Sequence, residues 1–206
     1  MTSIWGPLGW MTLHSVSINY PDTPTEIEKQ ICSRFIDMFG ESITCHICKS
    51  HFLRMLQTYR SLHPEYLNSK QNFFLFTVRA HNTVNQRLDK PTVKTISEAL
   101  STLQQATVVT SPAEYRQKYI NYLKRTWASD FSATGLFALQ KVRELEKINN
   151  EYWSKRETSY VQFFYEADVL EYITEAGLKK TARGFATQIG PQPKIGFIGG
   201  KLKLRR

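Results

Sequence analysis

The sequence predicts an all-α protein, and three observations carry that expectation. Apolar residues recur at helical spacing in one segment after another. Capping and breaking residues fall between those segments, and the first ninety residues show almost no strand alternation. No run reaches the roughly 18 apolar residues of a membrane-spanning helix.

Trp5-Gly6-Pro7-Leu8-Gly9-Trp10 reads as a rigid aromatic lead-in. A helix follows to Tyr20 with Trp10, Leu13, His14 and Ser17 on one face, and Pro21 ends it. Thr23-Pro24-Thr25-Glu26 has N-cap and first-turn chemistry, opening a second helix with Ile27, Ile31, Phe35 and Met38 inward and Gly40 as its stop. The third helix runs from about residue 44 to about residue 60. Its expected cap is Ser42 or Thr44, its apolar face Ile47, Phe52, Leu53 and Leu56, and Cys45 falls in its first turn. His63-Pro64 and Asn68-Ser69 mark a loop, Asn72 to Leu88 reads as a fourth helix closed by Lys90-Pro91, and Ile96 to Leu100 as a short fifth. Beyond Ser111-Pro112, residues 112–128, 133–156 and 166–175 read as three further helices. Tyr160 to Tyr165 reads as a short strand or an aromatic turn, and Gly184 onward as extended or disordered chain.

With 206 residues, 41% of them hydrophobic and 13% aromatic, the chain can bury a proper core in one domain, or in one domain plus a smaller companion. The formal charge of +9 invites a nucleic-acid reading, but residues 178–206 hold eight Lys and Arg and no acid. Only +1 is left for the preceding 177 residues, so the basicity belongs to a tail and the body is nearly neutral. The tail's Lys and Arg, interspersed with Ile, Phe and Leu, suit binding to nucleic acid or to an anionic membrane. The opening residues lack the charged and apolar regions of a signal peptide, so a cytoplasmic location is expected.

Three cysteines are too few for a disulfide-stapled secreted scaffold. Cys45-x-x-Cys48 places two sulfurs one helical turn apart, close enough for a disulfide or a shared metal. At a helix start the free backbone N–H groups and the helix dipole favour a thiolate, which points to a redox-active dithiol. Cys32, in an apolar helical segment, is expected to be a buried reduced thiol. The fourth helix is anomalous, because Val78, His81, Asn82, Asn85 and Leu88 share one face. Its buried imidazole and amides must bond one another, line a groove or hold a polar ligand, at about 1–3 kcal/mol each if left unmatched.

Three ordered motifs carry a resemblance: Trp10-x-x-x-His14 with Tyr20-Pro21, Cys45-x-x-Cys48, and His81-Asn82-x-Val84-Asn85-x-x-Leu88-x-Lys90-Pro91. Over residues 2 to 105 the chain resembles the flavin-dependent sulfhydryl oxidases of the Erv/ALR type. The resemblance implies a four-helix bundle plus a short fifth helix, FAD held noncovalently, and a homodimer. By motif position it assigns Gly6, Trp10, His14, Val78, His81, Asn82, Val84, Asn85, Leu88 and Lys90 to FAD. It makes Cys45 the exchange cysteine, sets Cys48 against the flavin, and calls for no metal. Electrons would pass from a protein dithiol substrate or a thioredoxin-like donor through the Cys45–Cys48 disulfide and FAD to dioxygen, giving hydrogen peroxide.

The implied division is an FAD-binding sulfhydryl oxidase domain over 1–108, a helical C-terminal domain over 109–178 and a flexible basic tail over 179–206. Two departures accompany it: there is no second, shuttle cysteine pair, and residues 95–105 hold no match for the family's late tryptophan. The compact form is most like the enzymes of large cytoplasmic DNA viruses, which implies host cytoplasm or virion. The competing reading is a structural zinc module with Cys45, Cys48, His51 and Cys32 as ligands and the basic tail as an interaction arm. A flavin-free thioredoxin-type fold is disfavoured because it needs strands around the Cys-x-x-Cys.

Overall fold

A computed structural model describes residues 2–160, 173, 195–198 and 201–204. The expected helix over 166–175 and the expected strand or turn over 160–165 lie almost wholly outside them. Seven α-helices are described: α1 Thr2–Asn19, α2 Glu26–Ser42, α3 His46–Leu62, α4 Lys70–Arg87, α5 Ile96–Ala106, α6 Pro112–Ala128 and α7 Ala133–Glu151, followed by a 3₁₀ turn Trp153–Lys155. The all-α expectation holds for this body. No described helix is long and apolar enough to cross a membrane.

The architecture is organised by α1, which is buried around its whole circumference from Thr12 to Tyr20. It packs against α4 on one side and α6 on another, while α2 lies between α3 and α7. The α1–α6 pair is antiparallel: Gly9 faces Tyr119, and Ser15 is met by Arg116. The α2–α7 pair is antiparallel as well, with Arg34 bonded to Glu144 and Glu28 to Tyr152. A division at residue 108 is therefore not a division between compact units, since residues 1–173 form one unit and 174–206 another. The physical reason is α1 itself, whose second face can be buried only by helices from beyond that point.

Several local expectations are corrected. The lead-in Trp5-Gly6-Pro7 is helical and belongs to the first two turns of α1. Pro7 stands inside the helix, where it gives up the N–H that would have met the Ser3 carbonyl, and the packing of Trp5 and Leu8 on the core offsets that loss. Helix α2 has the Thr25/Glu28 capping box and buries Phe35 and Met38 as expected, but Cys32, Ile36 and Phe39 complete its inward stripe and Ile27 is 69% exposed. Cys32 thus serves as an apolar core residue with a free thiol, and burial pushes its pKa well up. Gly40 does not stop the helix, which continues to Ser42. A Cβ on Gly40 would lie 2.7 Å from Leu53 Cδ2 and 3.0 Å from Phe52 Cδ1, so the missing side chain is what lets α2 and α3 approach.

The main core joins α1, α2, α3, α4, α6 and α7 around residues such as Leu13, Phe35, Phe52, Phe73, Tyr119 and Trp153. A second cluster, Ile18, Phe74, Leu75, Val78, Ile96, Ala99 and Leu103, seats α5 on α1 and α4. Phe73, Phe74 and Phe76 are fully buried, and such a side chain contributes about 1.5–3 kcal/mol by leaving water. Arg116 is a cation within this core, donating to Asn149 Oδ1 at 2.9 Å, the Trp153 carbonyl at 3.3 Å and Ser15 Oγ at 3.5 Å. It ties α1, α6 and α7 together at one point.

The C-terminal unit contains a hairpin of β1 Ile195–Ile198 and β2 Lys201–Leu204, antiparallel, with Ile195 opposite Leu204 and Ile198 opposite Lys201. Of the stretch from Gly184 onward, expected to be extended or disordered, the described residues 195–198 and 201–204 are extended and also paired. The alternation of Lys with Leu in β2 and the intervening Gly199-Gly200 were the available signals.

Candidate active site

Two clusters of predicted residues are built on this frame. The first lies at the α2–α3 junction. Cys45 is itself the N-cap of α3, in place of the expected Ser42 or Thr44, and its Sγ accepts from the Cys48 backbone N–H at 3.3 Å. Cys45 and Cys48 are joined as a disulfide across a Cα–Cα separation of 5.2 Å. When the bond opens, a thiolate at Cys45 finds that amide and the positive end of the helix already aimed at it. The junction is braced by two contacts: Lys49 Nζ meets Glu41 Oε2 at 2.7 Å, and Trp127 Nε1 of α6 donates to the Ser42 carbonyl at 2.8 Å. Ile47 is 69% exposed rather than on the apolar face, which is Phe52, Met55, Leu56 and Tyr59.

This geometry removes the zinc alternative. The two sulfurs that would ligate zinc are bonded to each other, Cys32 is sealed in the core, and His51 is exposed. Among the described residues no group of three or more His, Cys, Asp or Glu side chains could hold a metal.

The second cluster joins α1 and α4. His14, 9% exposed, reaches Thr77 Oγ1 with Nδ1 and His81 Nδ1 with Nε2, both at 3.0 Å. Trp10, half-buried one turn earlier on α1, stacks on the His81 ring with centroids 4.4 Å apart and planes 10° apart. Burial holds His14 well below the usual imidazole range, and the neighbouring His81 adds to this. His81 is lowered to about 4, first by burial and then by the charge of Lys90. Both rings are therefore neutral at ordinary pH, and Lys90 lies close enough to act on His81 electrostatically.

The remaining predicted residues divide. Asn82 is buried and bonds the Val93 backbone at both ends, its Nδ2 donating to the carbonyl at 2.8 Å and its Oδ1 accepting from the N–H at 3.1 Å. Asn85 Nδ2 donates to the Pro91 carbonyl at 3.0 Å. These two amides fasten the 88–95 loop over the end of α4, which holds Lys90 near His81. The turn into that loop passes through Asp89 at φ 51, a left-handed conformation that Asp tolerates better than most side chains. Val78 belongs to the α5 core cluster, Val84 is half-buried, and Leu88 is 51% exposed. Gly6 has open space where a Cβ would point. Thr77 is the member that sequence reasoning missed; its one signal is being the sole hydroxyl in the apolar run Phe73–Val78.

Trp10, Cys45 and Cys48 are half-buried against the same core cluster, so both sites share one rigid support. A separate cavity of about 140 Å³, lined by residues including Tyr59, His63, Asn72 and Arg79, contains none of the predicted site residues.

In this all-α bundle a disulfide caps one helix and an aromatic–imidazole shelf lies between two others. Residues 8–108 match the Erv1 / Alr family. Two FAD-linked sulfhydryl oxidases of African swine fever virus, from a Malawi tick isolate and a Kenya pig isolate, are 38% and 36% identical over 86 residues, 42% of this chain and 69% of each relative. The mitochondrial FAD-linked sulfhydryl oxidase ERV1 of Saccharomyces cerevisiae is 31% identical over 86 residues, covering 42% of this chain and 43% of that protein. The chain belongs to the Erv1/Alr family.

Proposed function

We propose that the chain is an FAD-linked thiol oxidase that makes disulfides in protein dithiols. The observation that carries this reading is the Cys45–Cys48 disulfide at the N-terminus of α3, on the same core as the Trp10–His14–His81 shelf. Membership of a family whose relatives are named FAD-linked sulfhydryl oxidases supports the cofactor and the activity.

The residues fit FAD by their chemistry. Trp10 and His81 provide flat stacking surfaces, the neutral imidazoles offer hydrogen bonds without charge, and Lys90 supplies a cation suited to a pyrophosphate. The open space beside Gly6 leaves the α1 backbone accessible to a ligand there. Gly6, Trp10, His14, His81, Asn85 and Lys90 would hold the group, while Val78 and Asn82 act by fixing α5 and the 88–95 loop.

The thiol chemistry follows from the disulfide. A client thiolate attacks Cys45 Sγ, the Cys45–Cys48 bond breaks, and Cys48 departs as a thiolate. A second client thiolate then attacks the client sulfur of the mixed disulfide and expels the Cys45 thiolate, which the Cys48 N–H receives. The client leaves with a new disulfide, and two electrons stay on the enzyme's dithiol. Bound FAD supplies the two-electron oxidation that restores the disulfide, with dioxygen as final acceptor and hydrogen peroxide as product. Cys32 is sealed in the core and pairs with nothing, so in this proposal the client or a thioredoxin-like donor meets Cys45 directly.

A homodimer, a nucleic-acid or anionic-membrane role for the basic tail, and action in host cytoplasm or virion complete the proposal. The test is an absorption spectrum of the purified protein followed by oxygen uptake with dithiothreitol. Bound flavin in wild type and in Cys48→Ala, with turnover only in wild type, is expected; a colourless protein would end the proposal.

A further inference from the structure

The Thr77 hydroxyl has one proton and two neighbours. Its Oγ1 lies 2.8 Å from the Phe74 carbonyl oxygen, which can only accept, so the proton goes there. If it turned toward His14 instead, two oxygen lone pairs would face each other at that distance. Thr77 Oγ1 must therefore accept from His14, and the proton of the His14 ring sits on Nδ1. His14 is neutral, so its Nε2 is a bare acceptor, and the 3.0 Å contact to His81 Nδ1 requires a proton on that nitrogen. His81, also neutral, is left with a bare Nε2. One hydroxyl thus sets the direction of the whole chain, from α4 through α1 and back to α4.

We infer that Thr77 is a positioning residue: acting through His14, it fixes His81 in the tautomer that presents a hydrogen-bond acceptor, and no donor, to the cofactor. This rests on the reading of the Trp10–His14–His81 shelf as part of the FAD site. The group of FAD that His81 recognises is then an N–H or O–H donor. Thr77 is fully buried and touches the shelf only through His14. Without its oxygen the His14 Nδ1–H would be stranded. His14 would take its proton on Nε2, donate to His81 Nδ1, and force the His81 proton outward onto Nε2. The whole relay would reverse, and a donor would meet a donor at the cofactor.

The test uses the flavin-loaded protein labelled with ¹⁵N-histidine, in wild type, Thr77→Val and Thr77→Ser. Long-range ¹H–¹⁵N correlation assigns the tautomers, and recovery of flavin fluorescence on dilution gives the rate of FAD release. Wild type and Thr77→Ser are expected to carry Nδ1–H on both His14 and His81. Thr77→Val is expected to carry Nε2–H on both and to release FAD roughly ten- to a hundredfold faster, the loss expected for one mismatched buried hydrogen bond. Nε2–H at His81 in wild type would overturn the inference. So would a Thr77→Val protein with unchanged tautomers and release, or a Thr77→Ser protein as defective as Thr77→Val. Should Thr77→Val fail to fold, the wild-type and Thr77→Ser spectra still decide the relay. A folded wild type that holds no flavin sinks the FAD reading separately, because its tautomers can still be read.

Discussion

The Cys48 amide donates to the Sγ of Cys45, so the sulfur proposed for exchange is also the capping atom of α3. Cys45→Ser keeps a cap and Cys45→Ala removes it, while both abolish the disulfide. Urea denaturation of the two variants should differ by about 1 kcal/mol in favour of serine. Oxygen uptake with dithiothreitol should be lost in both. Equal stabilities would mean that the cap contributes nothing.

Gly40 holds the α2–α3 spacing. In Gly40→Ala the new methyl would be 2.7 Å from a Leu53 methyl, which can swing aside, and 3.0 Å from the buried ring of Phe52, which cannot. Overpacking typically costs about 1–3 kcal/mol, and alanine returns up to about 1 kcal/mol of helix propensity. A net loss of about 1 kcal/mol is expected by thermal or urea unfolding, and a double-mutant cycle should show it reduced in a Phe52→Ala background.

Arg116 is 1% exposed and bonds three helices' worth of acceptors. Arg116→Ala leaves Asn149 and the Trp153 carbonyl unmatched beside a cavity, for which a loss of about 3 kcal/mol is expected. Arg116→Lys should recover only part of it, because an ammonium lacks the guanidinium fork.

The neutral histidines predict a pH dependence. His81 titrates near 4 in the folded protein and near 6.5 when unfolded, so between those values the unfolded chain binds more protons. Its contribution to stability is complete above about pH 6.5 and is lost as pH falls toward about 4, with His14 adding in the same direction. Unfolding measured across that window should show stability falling with acid. The slope should be shallower in His81→Gln.

Ending the chain at residue 110 is predicted to leave a loosely packed state, although the family match ends at 108. The face of α1 that meets α6 buries Gly9, Thr12 and Ser15, and truncation would uncover it. Loss of near-ultraviolet circular dichroism with retained helix signal is the expected observation.

Much of this was legible in the residues and some was not. Ser111-Pro112 marked the start of α6, where the structure adds a Ser111/Glu114 capping box, and Cys32 is the buried free thiol its apolar segment suggested. The inward face of α2 was misread because Cys32 was the hydrophobe that shifts the stripe, leaving Ile27 to solvent. The start of α1 was missed because Gly6 and Pro7 are locally poor helix residues and only packing of Trp5 and Leu8 on the core overrides them. Nothing in the sequence around Arg116 marks it as buried. Its burial depends on Asn149 and Trp153, which are distant in sequence and adjacent only in the fold. Thr77 carried no periodic signal, since its partner is a histidine on another helix.

The position of α1 between α4 and α6 has a consequence for how the protein is made. Translation delivers α1 first and its outer cover last. During that interval the α6-facing side of α1, with Gly9, Thr12 and Ser15, stays uncovered. The covered state of α1 is therefore reached only once α6 has been made, so this face of the first helix stays open longest as the chain grows.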